Sequence, residues 1–554
     1  MDLSEIKETS WDYVFVGGGL AASVVAHRLH EFDPKLKILV VEAGPNANDS
    51  PDVIAPSSTH LVKGVFDWKY KTVPQSHLDG RQIDWPAGKA LGGGTLINSN
   101  GWIRGDKFDY DLWGSKVNDP RWSYDGLLPF MKKSESFQGE NINKEQRGVD
   151  GPSFIQSVTS TNRHFPLRSH ALQSWAELGV EALPGLDANA GYSVGVGDLQ
   201  ENKENGRREI ASVVYPLDGI TILTEILVEK VLTEKTPEGA LSAVGVKLSN
   251  GEEIRGREII LSAGTIRTPQ ILKLSGIGPA EELNKLKIPV VLDLPGVGEN
   301  LADHTIFLHQ WKLKNPSDGW ALGSNNPLFS KPQYGWGSPM DFLATVDVPK
   351  EGLKAAIAED EGSVPDPLTH PLLKPKRPFA ENVFMYAGAP DGSLVTFALV
   401  MLLTTSRGSV KLASDNIQDH PLIDPNYLST AVDRYAIREA IKMQIKFVGS
   451  DATIMGREII DEATSVPGFD KVLSEDSTDE YIDARLRAGV GTCFHPMGTA
   501  AMGNVVDTDL LVKGIKNLRV VDASVFPVAI TGHTQVATFA LAEQAAEIIY
   551  SGRR

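Results

Sequence analysis

Near the start of the chain the apolar positions change their period within a few residues. Residues 13–16 form a continuous run of β-prone apolar side chains, which predicts a short buried strand. Over residues 20–30 the apolar positions return at helical spacing, and residues 37–41 revert to a compact apolar run. The pattern predicts strand, tight turn, helix and strand. Further along, residues 66–72 alternate like a strand, while 124–137 and 169–178 carry helical spacing. Residues 220–231 and 243–248 read as strands, the latter paired through a turn at Asn250-Gly251. Residues 257–261 form another buried strand that runs to Gly264, followed by a helix from Pro269 towards Ser275. This second strand–glycine–helix unit is expected to return to the same parallel sheet. Between Trp311 and Pro390 the chain is rich in Pro, Gly and Asn and predicts long surface loops around a substrate entrance. A strand is predicted at 396–403, an amphipathic helix at 433–448, a strand at 517–522 and a final helix at 536–550. No internal repeat or low-complexity segment interrupts this order.

The first turn carries chemistry. Gly17, Gly19 and Ala22 occupy the three small positions of G-x-G-x-x-G/A, between a strand and a helix. Gly17 allows the turn, Gly19 lets the backbone approach a pyrophosphate, and the helix N-terminus offers free N–H groups to phosphate. Glu42 ends the second strand, where an acid bonds ribose hydroxyls. A dinucleotide is implied, of a kind the fingerprint leaves open. A second glycine run, Gly92-Gly93-Gly94, sits with Thr95 and Asn98 among Leu, Ile and Trp, a composition that suits a cofactor-lining loop better than a linker. Near the other end, His495 precedes a proline and His533 follows a glycine and opens a helix. A lone histidine is usually structural; two so placed point to acid–base work.

Bulk properties narrow the classes. A chain of 554 residues calls for two to four domains, and 41% hydrophobic with 23% charged residues is a globular composition. A net charge of −17 disfavours nucleic acid and anionic membrane as partners. The single cysteine, Cys493, allows no intramolecular disulfide and no cysteine-built metal site, and no metal is expected. The polar, acidic start lacks an apolar signal segment, so a cytoplasmic location is expected, a secreted mature form remaining open.

Four ordered blocks resemble the glucose-methanol-choline (GMC) family of flavin oxidoreductases, over essentially the whole chain. They are the fingerprint with Glu42; the glycine-rich run from Gly88 to Asn98; the run from Ser262 to Pro279 continued by residues 294–304; and His495-Pro-x-Gly-Thr with Gly532-His533. In pattern the chain is nearest the aryl-alcohol oxidase-like and fungal secondary-metabolite members. The resemblance implies an α/β fold: a Rossmann-type FAD-binding domain, with a parallel sheet and helices, and a substrate-binding domain with a large antiparallel sheet, discontinuous in sequence. Residues 8–72, 215–310 and 505–554 would form the first, 73–214 and 311–504 the second, with 85–105 lining the FAD. It implies non-covalent FAD, because Ile97 stands where covalent members carry the attachment histidine. Cofactor contacts are implied at Gly17, Gly19, Leu20, Ala21, Glu42, Ala43, Gly93, Gly94, Thr95, Asn98, Val228, Ala263, Asp522, Ala523, His533, Thr534 and Gln535. His495 is implied as the general base and His533 as the group bonding the substrate oxygen. Gly491 and Cys493 replace the arginine and asparagine that hold sugar hydroxyls in glucose-specific relatives. With Phe494 and Met497, Cys493 suggests an apolar pocket for an aryl, furanic or similar primary alcohol, oxidised to an aldehyde. Oxygen or another acceptor would take the electrons. The alternatives are a family member doing non-redox acid–base chemistry, such as a cyclisation, and a non-catalytic flavin-binding protein.

Overall fold

The computed structural model describes residues 3–139, 142–449 and 451–553. Its frame is two sheets, and the chain passes between them more than once. In the first sheet, strand Trp11–Val16 lies between Ile38–Val41 and Glu253–Leu261, parallel to both; Thr221–Leu223 adds to the outer side of Ile38–Val41, again parallel. Trp11–Val16, Ile38–Val41 and Thr221–Leu223 are short and mostly apolar, and Glu253–Leu261 becomes so over its last three residues, as expected where helices cover both faces of a sheet. Strand Glu253–Leu261 divides its other edge. Its first half pairs antiparallel with Leu241–Leu248, which in turn pairs with Val228–Lys235; its last residues pair parallel with Leu518–Val520. A returning strand of the same parallel sheet is therefore present where the second strand–glycine–helix unit predicts it.

The second sheet has seven strands, all antiparallel: Ile460–Ala463, Thr305–Leu313, Leu394–Met401, Ala380–Gly388, Phe342–Val346 and Gly195–Asp198 in order, with Gly491–Thr492 beside Thr305–Leu313. Helix Ala431–Gly449 packs on it, and in the core between them Phe397 meets Phe384, Phe447 and Trp175 edge to face. Each sheet has its own large hydrophobic core.

Several elements differ from the sequence pattern. The stretch between Trp311 and Pro390 is only in part a set of loops: residues 314–341 and 362–379 are irregular apart from single helical turns, and between and after them lie strands Phe342–Val346 and Ala380–Gly388 and helix Lys350–Glu361. Phe342–Val346 is buried at every position, so it has no polar alternation to mark it among the surrounding prolines. Residues 66–72 contribute only the two-residue strand Tyr70–Lys71. The helix at 124 stops at Ser134, and Glu135–Gln138 leaves as a strand whose Glu135 carboxylate is held by the buried Arg104 and Arg147. The helix expected from Pro269 starts at Gly264, where the Asp522 carboxylate accepts from the Gly264 amide at 2.9 Å and from the Thr268 hydroxyl at 2.7 Å.

The first sheet ends in a crossing of three backbones. Gly17 has φ +93°, and a Cβ there would lie 2.6 Å from the Ser262 carbonyl oxygen; Gly93 has φ +56°, and a Cβ there would lie 2.8 Å from the Cα of Gly19. Gly93→Ala meets both a backbone conformation that L-residues avoid and a main-chain atom that cannot yield. Thermal unfolding of the cofactor-free protein is expected to show a loss of about 2 kcal/mol or more. The purified variant is expected to hold less flavin, read from visible absorbance against protein.

Candidate active site

Strand Trp11–Val16 delivers Gly17-Gly18-Gly19 to the start of helix Leu20–Phe32, which buries Ala21 and leaves Leu20 half-buried at its first turn. Gly19 is the N-cap and contributes no side-chain cap, so the first amides of the helix are free for an anion. Glu42, just past Ile38–Val41, accepts from the Gly18 and Gly44 amides, both at 2.7 Å. Burial pushes its carboxyl up against the pull of those bonds. Beside it opens a cavity of about 790 Å³ lined by Ala43, Gly44, Phe66 and Lys89 among others. Val228 is buried at the start of its strand, opposite Leu248. These features fit a dinucleotide: an uncapped helix start, a turn stripped of side chains, an acid and an adjoining cavity.

The second glycine run is locked by its own side chains. The Thr95 hydroxyl donates to the Gly92 carbonyl and accepts from the Ala211 amide, so it is spent within the fold. Asn98 donates to Gln535 at 3.0 Å and accepts from Arg208 at 2.8 Å; Gln535 in turn donates to the Gly101 carbonyl. Gly94 and Ile97 bound a single helical turn, Gly94–Ile97. Ala263 is the N-cap of Gly264–Leu274, and the Ala523 carbonyl accepts from the Gly498 amide. Helix Thr534–Ser551 begins immediately after His533, again with no side-chain cap.

The two predicted histidines come together. The His495 and His533 rings lie 5.0 Å apart, centroid to centroid. A third histidine joins them: His304 Nδ1 is 3.0 Å from His495 Nδ1. Glu381, in the seven-stranded sheet and 1% exposed, places Oε1 3.2 Å from His533 Nε2. The Gly101 main chain packs against the other ring nitrogen of His533. Asp303 is buried behind His495. It accepts from the His495 amide at 2.9 Å, from the Thr492 hydroxyl at 2.7 Å and from Tyr427.

Burial and neighbours then sort the charges. His495 is held well below the ordinary histidine value, first by burial and then by the positive charge at His533 and by His304. His304 is driven down to about 3, chiefly by burial. Burial also works against a charge on His533, but the Glu381 carboxylate outweighs it and the net shift is upward. Asp303 is pushed up to about 7 by burial, against its hydrogen bonds. At neutral pH the arrangement is a neutral His495 beside a His533 that favours its cation. A neutral imidazole accepts a proton, and a neighbouring cation stabilises the oxyanion left behind.

The three predicted pocket residues separate. Cys493 is partly buried, and its thiol is raised well above the usual range by burial and then by Glu381 and Asp303. Phe494 is 53% exposed and adopts φ +64°. Met497 is fully buried in the core beside the parallel sheet, its main chain paired with Ala302. Its apolar character serves packing there. His304, Asp303 and Glu381 are the site residues that the sequence pattern does not single out. Asp303-His304 closes a recognised block, so its adjacent acid and histidine were a usable signal. Glu381 gives only the hint of a lone acid in an apolar strand. Among the described residues no cluster of His, Cys, Asp and Glu is arranged to hold a metal, and no helix is long and apolar enough to cross a membrane.

Comparison with known proteins accounts for this geometry. The N- and C-terminal models described as GMC oxidoreductase match residues 11–306 and 404–542. The chain is 34% identical to the GMC-type oxidoreductase acuG of Aspergillus aculeatus, over 98% of this chain and 99% of that one. Its fold matches pyridoxine 4-oxidase from Mesorbium loti with a TM-score of 0.81 at 26% identity, covering 98% of this chain and all of that one. It also matches a fungal aryl-alcohol oxidase, with a TM-score of 0.78 at 25% identity over 98% and 99% of the two chains. The chain belongs to the GMC oxidoreductases, the flavoprotein family that uses FAD to oxidise CH–OH groups.

Asp303 offers a pH test of this geometry. Its folded-state value near 7 lies above the ordinary 3.8, so the folded protein favours the protonated carboxyl. The stabilisation is complete below about pH 4 and is lost as pH rises through about 7. Asp303→Asn removes that titration. The stability difference between wild type and variant, measured by denaturant unfolding, is expected to shift against the wild type between pH 4 and pH 7.

Proposed function

We propose that this protein oxidises a primary alcohol to an aldehyde, with FAD held non-covalently and His495 as the general base. The observation that carries the reading is the partly buried constellation of His495, His533, His304 and Glu381, with the His495 and His533 rings 5.0 Å apart and Glu381 against His533. FAD would lie along the glycine crossing, with Gly17, Gly19, Leu20 and Ala21 at the pyrophosphate and Glu42 and Ala43 at the ribose. Val228 would meet the adenine, and Ala263, Asp522 and Ala523 the pyrophosphate and ribityl chain. Gly93, Gly94, Thr95, Asn98, Thr534 and Gln535 would face the isoalloxazine end. In this reading residues 8–72, 215–310 and 505–554 bind the cofactor, 73–214 and 311–504 bind the substrate, and 85–105 line the FAD. When bound, the flavin supplies the hydride acceptor.

The protein supplies the rest. Nε2 of His495 takes the hydroxyl proton. His533, whose cation Glu381 favours, would stabilise the oxygen that loses it. Uncapped amides at the start of Thr534–Ser551 add positive potential on the same side. The apolar-alcohol preference rests on Gly491 and Cys493 where sugar-specific relatives place donors, and on the exposed Phe494 that precedes His495 in the chain. Aryl, furanic and similar primary alcohols are the substrates expected, with oxygen or another acceptor completing the cycle.

His495→Ala is expected to retain FAD and to lose alcohol oxidation by about 10²–10⁴-fold, the range for removing a general base. Anaerobic mixing with benzylic, furanic, aliphatic and sugar alcohols, followed by flavin absorbance, is expected to bleach the flavin with the aromatic alcohols. Bound flavin that no alcohol bleaches would move the reading to non-redox acid–base chemistry. The pH profile gives a separate check. His495 must be neutral to act, and its value lies well below 6.5. kcat/KM is therefore expected to hold as pH falls through 6.5 and to decline only at lower pH.

A further inference from the structure

His304 and His495 meet through like atoms, Nδ1 to Nδ1 at 3.0 Å with their ring planes at 90°. A contact that short requires one hydrogen between the two nitrogens, because two bare lone pairs repel and two N–H groups collide. The tautomers of the two rings are therefore linked: whichever ring carries Nδ1–H, the other presents a lone pair.

The surroundings of His304 decide which. The ring is fully buried and neutral. Its Nδ1 is taken up by His495, and the backbone carbonyls of Ile530 and Leu402 face the ring. Carbonyls only accept, so the nitrogen turned towards them keeps its hydrogen. That nitrogen is Nε2, which is buried and finds no partner in ideal hydrogen-bond geometry. The opposite tautomer would set a bare Nε2 lone pair among carbonyl oxygens. With its hydrogen on Nε2, His304 has a lone pair at Nδ1, and His495 must carry Nδ1–H and leave its own Nε2 bare.

We propose that His304 is a positioning residue that fixes His495 in the Nδ1–H tautomer and so makes Nε2 the atom that receives the substrate's hydroxyl proton. The inference rests on the reading of His495 as the base. In the step itself the alcohol O–H bond breaks, its electron pair stays on oxygen and an Nε2–H bond forms on His495. The charge gained is shared with Nδ1–H, whose bond to His304 becomes charge-assisted and stronger. No other reactant is needed. Asp303 completes the device, since it accepts from the His495 amide at 2.9 Å. Two successive residues thus hold the backbone and the proton position of the base.

The direct test is long-range ¹H–¹⁵N NMR of the FAD-loaded enzyme labelled at histidine nitrogens, at neutral pH, with the His495 signals assigned by their loss in His495→Ala. A protonated Nδ1 and a bare Nε2 are expected at His495; a protonated Nε2 there overturns the proposal. Two variants supply the kinetic arm. His304→Leu offers no acceptor and is expected to lower kcat about 10²-fold with KM little changed. His304→Asn returns an oxygen acceptor near the position of Nδ1 and is expected to recover most of that loss. A folded, flavin-loaded His304→Leu with wild-type kcat overturns the proposal. Should the leucine variant not fold, the wild-type spectrum decides. Wild-type turnover in His495→Ala would sink the functional reading instead, an outcome distinct from the tautomer result.

Discussion

Everything at this site depends on how closely three pieces of backbone approach one another. The turn at Gly17–Gly19, the turn at Gly92–Gly93 and the strand end at Ser262–Ala263 meet so closely that a Cβ at Gly17 or Gly93 would strike main chain. That crowding brings the first strand of the chain, a loop some seventy residues on and a strand from the middle of the sequence into one cradle. Side chains such as Thr95 and Asn98, which by type could reach a ligand, are largely engaged in holding the loops in place. Recognition of the diphosphate then falls to main-chain amides and helix ends, whose positions are fixed by the fold.

At the catalytic end, burial does the sorting. Three histidines and two carboxyls lie within a few residues' reach, and in water each would have its ordinary protonation equilibrium. Inside the protein the cost of an isolated charge keeps His304 and His495 neutral, while Glu381 makes a charge affordable on His533 alone. Because these groups interact, observed titrations belong to the cluster rather than to single residues. Division of labour between two chemically identical side chains comes from what stands behind each: a carboxylate behind one, a neutral ring behind the other.

Much of this was legible in the sequence, for reasons that differ by element. The fingerprint from Tyr13 to Glu42 could be read because a turn without side chains and an acid at a fixed distance are local requirements. His495 and His533 could be found because proline and glycine beside a histidine are unusual enough to notice. The seven-stranded sheet was hidden for the opposite reason: Phe342–Val346 is buried on both faces and sits among prolines and glycines, so periodicity had nothing to act on. Glu381 and His304 owe their roles to long-range contacts across the sheets, which no local pattern encodes. Met497, read from its apolar type as pocket lining, is buried among the core residues beside the parallel sheet, a placement that residue type alone does not reveal.

The placement of the last strand and helix bears on how the molecule is made. Leu518–Val520 pairs with residues 259–261, and helix Thr534–Ser551 packs against Leu20–Phe32. Residues 11–32 therefore wait for residues 518–551 before their sheet and helical layer are complete. The antiparallel sheet, most of whose strands lie between residues 305 and 463, has its main parts available earlier. Synthesis order thus runs against assembly order for the cofactor side, and contacts of such sequence separation are slow to form. During translation the apolar strand at residues 11–16 must be shielded by provisional partners, and a chain cut short by even its final helix would expose the face that helix covers.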